Sequence, residues 1–165
     1  MNHIVVSFVS PDKPGLVDTL SNIVNKYQGN WQASSMHTLS GYFAGTFEVA
    51  LSENNTNDFI SDIDAIEDLE AICKVAEATT DSDSVAVILE LTANDRSGII
   101  QEISSVIHKQ GGNLLKLVSK QESAAHTGQK LFKARATIDV RDRSTDDLID
   151  ALENLADDLM VDISR

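Results

Sequence analysis

Two short segments of this sequence set a carboxylate, a cation and a glycine at one spacing: Ser10-Pro11-Asp12-Lys13-Pro14-Gly15-Leu16 and Ala93-Asn94-Asp95-Arg96-Ser97-Gly98-Ile99. Each follows an apolar run and precedes an amphipathic one, so each reads as a strand-to-helix loop. A helix N-terminus presents unpaired N–H groups at the positive end of the dipole and attracts a carboxylate or phosphate. Gly15 or Gly98 leaves space for a ligand to touch the backbone. Lys13 or Arg96 adds a cation, and Asp12 or Asp95 offers an acceptor for an amino group, so a small zwitterion has both charges such a loop can recognise. The same residues also suit an ordinary helix start, with Asp12 or Asp95 closing an Asx-turn and Pro14 fixing the first turn. Spacing alone leaves both readings open. Asn30 and Asn113 each follow a glycine, and either close the preceding helix or point an amide into a cleft.

Other chemistry is sparse. His3, His37, His108 and His126 have no second ligand at the short spacings of a metal site, so no metal is expected. Cys73 is the only cysteine, which excludes an intrachain disulfide and a thiolate cage and fits a reducing, cytoplasmic compartment. It reads as a core residue, since no neighbouring base would activate it. The carboxylates Asp62, Asp64, Glu67, Asp68 and Glu70 read as a solvated helix face, as do Asp146, Asp147, Asp150, Glu153, Asp157 and Asp158. No GxGxxG or Walker loop occurs. We therefore expect no catalytic residue, no cofactor and no enzyme.

The elements that must position the two loops emerge from an internal repeat. A shift of 83 aligns Asp12, Gly15, Ser21, Lys26, Gly29 and Asn30 with Asp95, Gly98, Ser104, Lys109, Gly112 and Asn113. The apolar set Leu16, Val17, Leu20, Ile23 and Val24 falls over Ile99, Ile100, Ile103, Val106 and Ile107, the spacing of a helix with one buried face. Beyond this a shift of 89 is needed, aligning Phe43 with Phe132 and Val49 with Ile138. The second copy thus carries about six extra residues near 123–129, where a hairpin loop tolerates them.

Each half reads as strand, helix, two strands, helix, strand. First strands are expected over 4–9 and 85–91, hairpin strands over 30–39 with 43–51 and 113–122 with 130–140, second helices from near Asn57 and Ser144, and last strands over 71–76 and 160–163. The predicted fold is α+β: two ferredoxin-like βαββαβ modules, each an antiparallel four-stranded sheet with helices on one face. Residues 1–78 form the first module, 79–84 a polar linker and 85–165 the second. Modules of about 80 residues are marginal alone and want cover for the open sheet face and edge.

Composition narrows the partners. The 13 Lys and Arg against 26 Asp and Glu give a net charge of −13, which repels a phosphate backbone and argues against direct nucleic-acid binding. No basic leader opens the sequence and no apolar stretch reaches the roughly 20 residues of a membrane span. Base is concentrated in Lys109, Lys116, Lys120, Lys130, Lys133 and Arg135, with Glu122 the sole acid between Lys109 and Arg135. Such a hairpin suits an acidic partner or an acidic helix of its own fold. Residues 28–47 hold no Asp, Glu, Lys or Arg, and the uncharged edge expected there invites pairing with the other module or with a second chain as a homodimer.

The two loops, each followed by Gly29-Asn30-Trp31 or Gly112-Asn113-Leu114, make the sequence resemble the ACT domain family, regulatory modules of βαββαβ form. Two copies account for the whole chain, as in the tandem-ACT subgroup of glycine cleavage system repressors. The resemblance implies amino-acid sensing rather than catalysis, with glycine the subgroup's ligand. It places contacts at Asp12, Pro14, Gly15, Leu16 and Asn30 and at Asp95, Ser97, Gly98, Ile99 and Asn113, where the loop and helix of one module meet the second strand of a neighbour. Ser97 in place of proline sets the second loop apart. The subgroup implies control of transcription through contact with an activator protein; the alternatives are a ligand-independent scaffold and a regulator of a metabolic enzyme.

Overall fold

A computed structural model describes residues 1–77, 85–141 and 143–164. The chain divides into two compact units, Met1–Thr80 and Asp81–Arg165. The expected linker over 79–84 lies outside the described residues.

The first unit runs β1 (Asn2–Pro11), α1 (Leu16–Lys26), β2 (Asn30–Leu39), β3 (Tyr42–Leu51), α2 (Glu53–Asp64) and β4 (Glu70–Glu77). The second repeats it as β5 (Ala86–Asn94), α3 (Ile99–Lys109), β6 (Asn113–Ser123), β7 (Lys130–Asp139), α4 (Thr145–Glu153) and β8 (Met160–Ser164). Each sheet is antiparallel, in the orders β2-β3-β1-β4 and β6-β7-β5-β8. This is the α+β architecture of two ferredoxin-like βαββαβ modules.

Alternation along β1 decides which face is covered. Ile4, Val6 and Phe8 are buried and pair with Val49, Phe47 and Gly45 of β3; Val5, Ser7 and Val9 between them are exposed. The buried stripe of α1, Leu16, Leu20 and Val24, closes the core from one side together with Phe59 and Ile63 of α2. In the second unit Leu89, Leu91 and Ala93 meet Ile99, Ile103 and Ile107 of α3 and Leu148 and Leu152 of α4.

Turn chemistry fixes the hairpin of the first unit. Ser40 (φ 49°) and Gly41 (φ 84°) both adopt left-handed backbone, the pair of conformations that joins twisted strands through two residues. In the second unit the extra residues form a longer turn in which the Ala124 N–H donates to the Gln129 carbonyl at 2.7 Å. α2 starts ahead of the expected Asn57, because Ser52 provides the extended N-cap and the Thr56 hydroxyl donates back to the Ser52 carbonyl at 3.0 Å.

Candidate functional site

The sharp turn into α1 is made by Gly15 (φ 85°, ψ 6°) and the turn into α3 by Gly98 (φ 85°, ψ 2°). Each glycine is itself the N-cap, and no side chain caps either helix. Asp12 and Asp95 therefore do not act as capping residues. They extend the sheet instead: the Asp12 N–H donates to the Gly41 carbonyl and the Asp95 N–H to the Lys130 carbonyl, each at 3.0 Å. A left-handed conformation disfavours any residue with a Cβ, yet the space where that Cβ would point is empty at both positions, with nothing within 4 Å. Geometry requires glycine here, while the surroundings leave the backbone open to a visitor.

The cations beside these glycines already have partners. Lys13 Nζ lies 3.5 Å from an Asp68 carboxylate oxygen, on the loop before β4. Arg96 pairs with Glu102 in the first turns of α3, and that carboxylate, with Asp158 nearby, holds the guanidinium above its usual range; Glu102 is in turn held below the usual carboxylate range by Arg96. The two aspartates differ. Asp95 accepts a hydrogen bond from the Gln121 amide of β6, whereas among the described residues no hydrogen bond holds the Asp12 carboxylate. The residue of β2 in the place of Gln121 is Thr38, paired with Phe43 as Gln121 is with Phe132.

Around the second loop these contacts frame an open groove of about 720 Å³. Asp95, Gly98 and Ile99 line it, and so do Ser104, Ser119 and Gln121, which sequence reasoning did not select. Ser104 had left a signal, being one of the residues identical between the two halves, whereas Ser119 and Gln121 stand over Met36 and Thr38 at the same shift of 83, so no identity marked them. Pro14 and Ser97 lie in the turns just ahead of the two glycines, and Leu16 and Ile99 open the helices with their side chains in the cores.

Asn30 and Asn113 are not brought to the loop of their own module. Asn30 opens β2 opposite Ala50, the partner of His3, while the Asp12 loop follows Pro11 at the other end of β1. Eight strand residues separate the two levels, about 25 Å along the sheet. Nor do these asparagines cap the preceding helices. The C-terminus of α1 is closed by the Gly29 N–H on the Val24 carbonyl (2.9 Å), and that of α3 by the Gly112 N–H on the Ile107 carbonyl (3.0 Å).

The remaining candidates are structural. Burial, and then the charge of Asp64, push the Cys73 thiol up to about 11, which makes a poor nucleophile. His3 Nδ1 sits 2.8 Å from Glu48 across β1 and β3. Among the described residues no cluster of His, Cys, Asp and Glu has the geometry of a metal site, and no helix is long and apolar enough to cross a membrane. Asp62, expected on a solvated face, accepts from Lys26 Nζ at 2.7 Å and from the Tyr27 hydroxyl at 2.6 Å, tying α2 to the end of α1. The basic run is also divided. Lys120 and Lys133 share Glu122, and Arg135 binds Glu90 at 3.3 Å, so three of its six cations are paired within the sheet.

No protein-family model and no curated protein matches the sequence. Solved structures do. A protein of unknown function from Galdieria sulphuraria superposes with a TM-score of 0.78 at 21% identity, covering 99% of this chain and 98% of that one. A protein put forward as a glycine cleavage system transcriptional repressor superposes with a TM-score of 0.70 at 15% identity, covering 99% and 96%. Both likenesses span nearly the entire chain and show a shared fold, two βαββαβ modules in tandem.

Proposed function

We propose that this protein is a non-enzymatic regulator that senses a small amino acid at the loops opening α1 and α3. The observation that carries the reading is the pair of left-handed glycines, Gly15 and Gly98, each at a helix N-terminus with open space where a side chain would stand. There the ligand carboxylate meets the backbone N–H groups of Gly15 and Leu16, or of Gly98 and Ile99, and its ammonium meets Asp12 or Asp95. Asn30 and Asn113 lie too far along their own sheets to reach these loops. Their role in the site is to serve a neighbouring module, which the uncharged edge strand β2 would pair with in a homodimer. Glycine is the first ligand to try, in keeping with the glycine cleavage system repressor description of one structural neighbour. The same likeness supports an output in gene expression. The charge of −13 favours contact with an activator protein over contact with DNA.

Thermal shift and calorimetry against the standard amino acids test the proposal. A small amino acid should raise the melting temperature, and Gly15→Ala or Gly98→Ala should abolish binding at the altered module at a cost of about 1 to 2 kcal/mol in stability. Silence across the whole panel would remove the sensor reading. Salt-sensitive retention on DNA would remove the protein-contact reading.

A ligand-independent scaffold is the second reading, favoured in the second module by the Asp95–Gln121 and Arg96–Glu102 contacts that already occupy its polar groups. A complex with the activator that forms equally with and without amino acids would support it.

A further inference from the structure

The sheet face of the first module that carries no helix has a charge pattern complementary to itself. Val5, Val9, Leu39, Tyr42 and Ile72 lie on this face and are between 41% and 64% exposed. Strand β2 brings no carboxylate, ammonium or guanidinium to it. Its charged side chains are Glu48, Glu70 and Lys74, with His3 against Glu48. The excess of acid on the second helices repels a second copy of this chain, whereas this face carries only two carboxylates and one ammonium among mostly uncharged side chains.

Register makes the complementarity specific. Val5 is the centre of a row in which Glu48 pairs with it from β3 and Lys74 from β4. A half-turn about an axis running along β1 stacks this row on its own copy with the ends exchanged. Each Lys74 then faces the Glu48 of the other chain, giving two opposite-charge pairs around an apolar centre. Four strands about 4.8 Å apart and about eight residues long offer on the order of 500 Å² per copy. The total of about 1,000 Å² reaches the size at which specific interfaces begin.

We propose that a second copy of this chain docks here, open sheet on open sheet about 10 Å apart, with Lys74 of each opposite Glu48 of the other. The docking is independent of any ligand at the Gly15 and Gly98 loops, and it uses a different surface from the β2 edge.

Sedimentation velocity on the full chain at micromolar concentration, with far-UV circular dichroism to confirm folding, tests it. The wild type should self-associate. Lys74→Glu and Glu48→Lys should each weaken that association by about tenfold or more, since either places like charges opposite each other twice. Combining the two reversals should restore it. A wild type that sediments as a single chain overturns the proposal and leaves the face to a different protein. Association that ignores both single reversals also overturns it and assigns the contact to the edge strand. Failure of the double variant to recover overturns the Lys74–Glu48 pairing and with it this mode of stacking.

Discussion

The two modules share one backbone plan and fill it differently. In the first, Phe47 lies stacked on Trp31 with centroids 4.5 Å apart and planes 7° apart, and Phe8 packs against both Phe43 and Phe47. The second places Ala136 at the position of Phe47, Leu114 at that of Trp31 and Leu91 at that of Phe8, building on equivalent strands a core that is aliphatic apart from Phe132. The open sheet faces diverge as well. Lys120, Lys133 and Arg135 cross the second face in ion pairs with Glu122 and Glu90, whereas the first is mostly apolar and small. What both copies retain is the strand, the left-handed glycine and the helix start. The loop backbone is the same in both copies while core and surface differ, in keeping with the role proposed for the loop.

The sharpest way to break this comparison is Phe47→Ala. The ring is fully buried, so its removal should cost about 3 to 5 kcal/mol, with about 1 kcal/mol of that from the lost stacking. Trp31 is the only tryptophan, so its fluorescence reports the first module alone, while circular dichroism sees both. The fluorescence transition should move to lower denaturant and the remaining dichroism transition should stay in place. Equal movement of both would show that the modules unfold as one unit and that their cores are not separately accountable.

A middle-sized effect is expected from exchanging Gly45 and Ala134, which occupy the same place in β3 and β7. A Cβ at Gly45 would come within 2.3 Å of the Ser35 carbonyl oxygen and 2.7 Å of the Met36 Cα, so β2 must shift. Gly45→Ala should destabilise the first module by about 1 to 3 kcal/mol. Ala134→Gly should cost the second only about 0.5 to 1 kcal/mol, from chain entropy. Denaturant midpoints of the two variants check this order, and a neutral Gly45→Ala would mean that the two hairpins tolerate the same side chain.

The parts of this architecture that repeat were legible in the sequence. The strand, loop and helix order and both loop glycines stand at one offset in each half, and the apolar spacing of α1 and α3 is strongly periodic. Features that depend on contacts distant in sequence were not legible. Asp62 looked solvated because its partners, Lys26 and Tyr27, lie on another helix, and the second module places Ala151 at that position. Gln121 drew no notice because its partner Asp95 is reached only when β6 returns alongside the loop. The start of α2 was misplaced because Asn54 and Asn55 are weak helix formers, and only the fold reveals Ser52 as the N-cap. Asp12 and Asp95 looked like caps because local spacing does not show that a glycine takes that position.

The Asp62 clip provides the finest test, because it exists in the first module only. Its carboxyl is held below the usual carboxylate range, first by the Lys26 ammonium and then by the Tyr27 hydroxyl. A carboxyl whose folded value is depressed stabilises the fold above its unfolded value and loses that contribution as pH falls through the folded one. The hydrogen bond to Asp62, and then burial, raise the Tyr27 phenol, and the same carboxylate raises Lys26. Groups raised in this way stabilise below their unfolded values and lose the contribution as pH climbs through the folded ones. The clip should therefore strengthen the first module across the neutral range and release it at both extremes. All three groups are solvent-accessible, so the change should be smaller than for Phe47→Ala or Gly45→Ala. Trp31 denaturation midpoints followed against pH should decline on both the acid and the alkaline side, and Asp62→Ala should flatten both declines. If the wild-type midpoint is indifferent to pH on the two sides, the contact contributes no stability, and the modules differ in their cores and sheet faces alone.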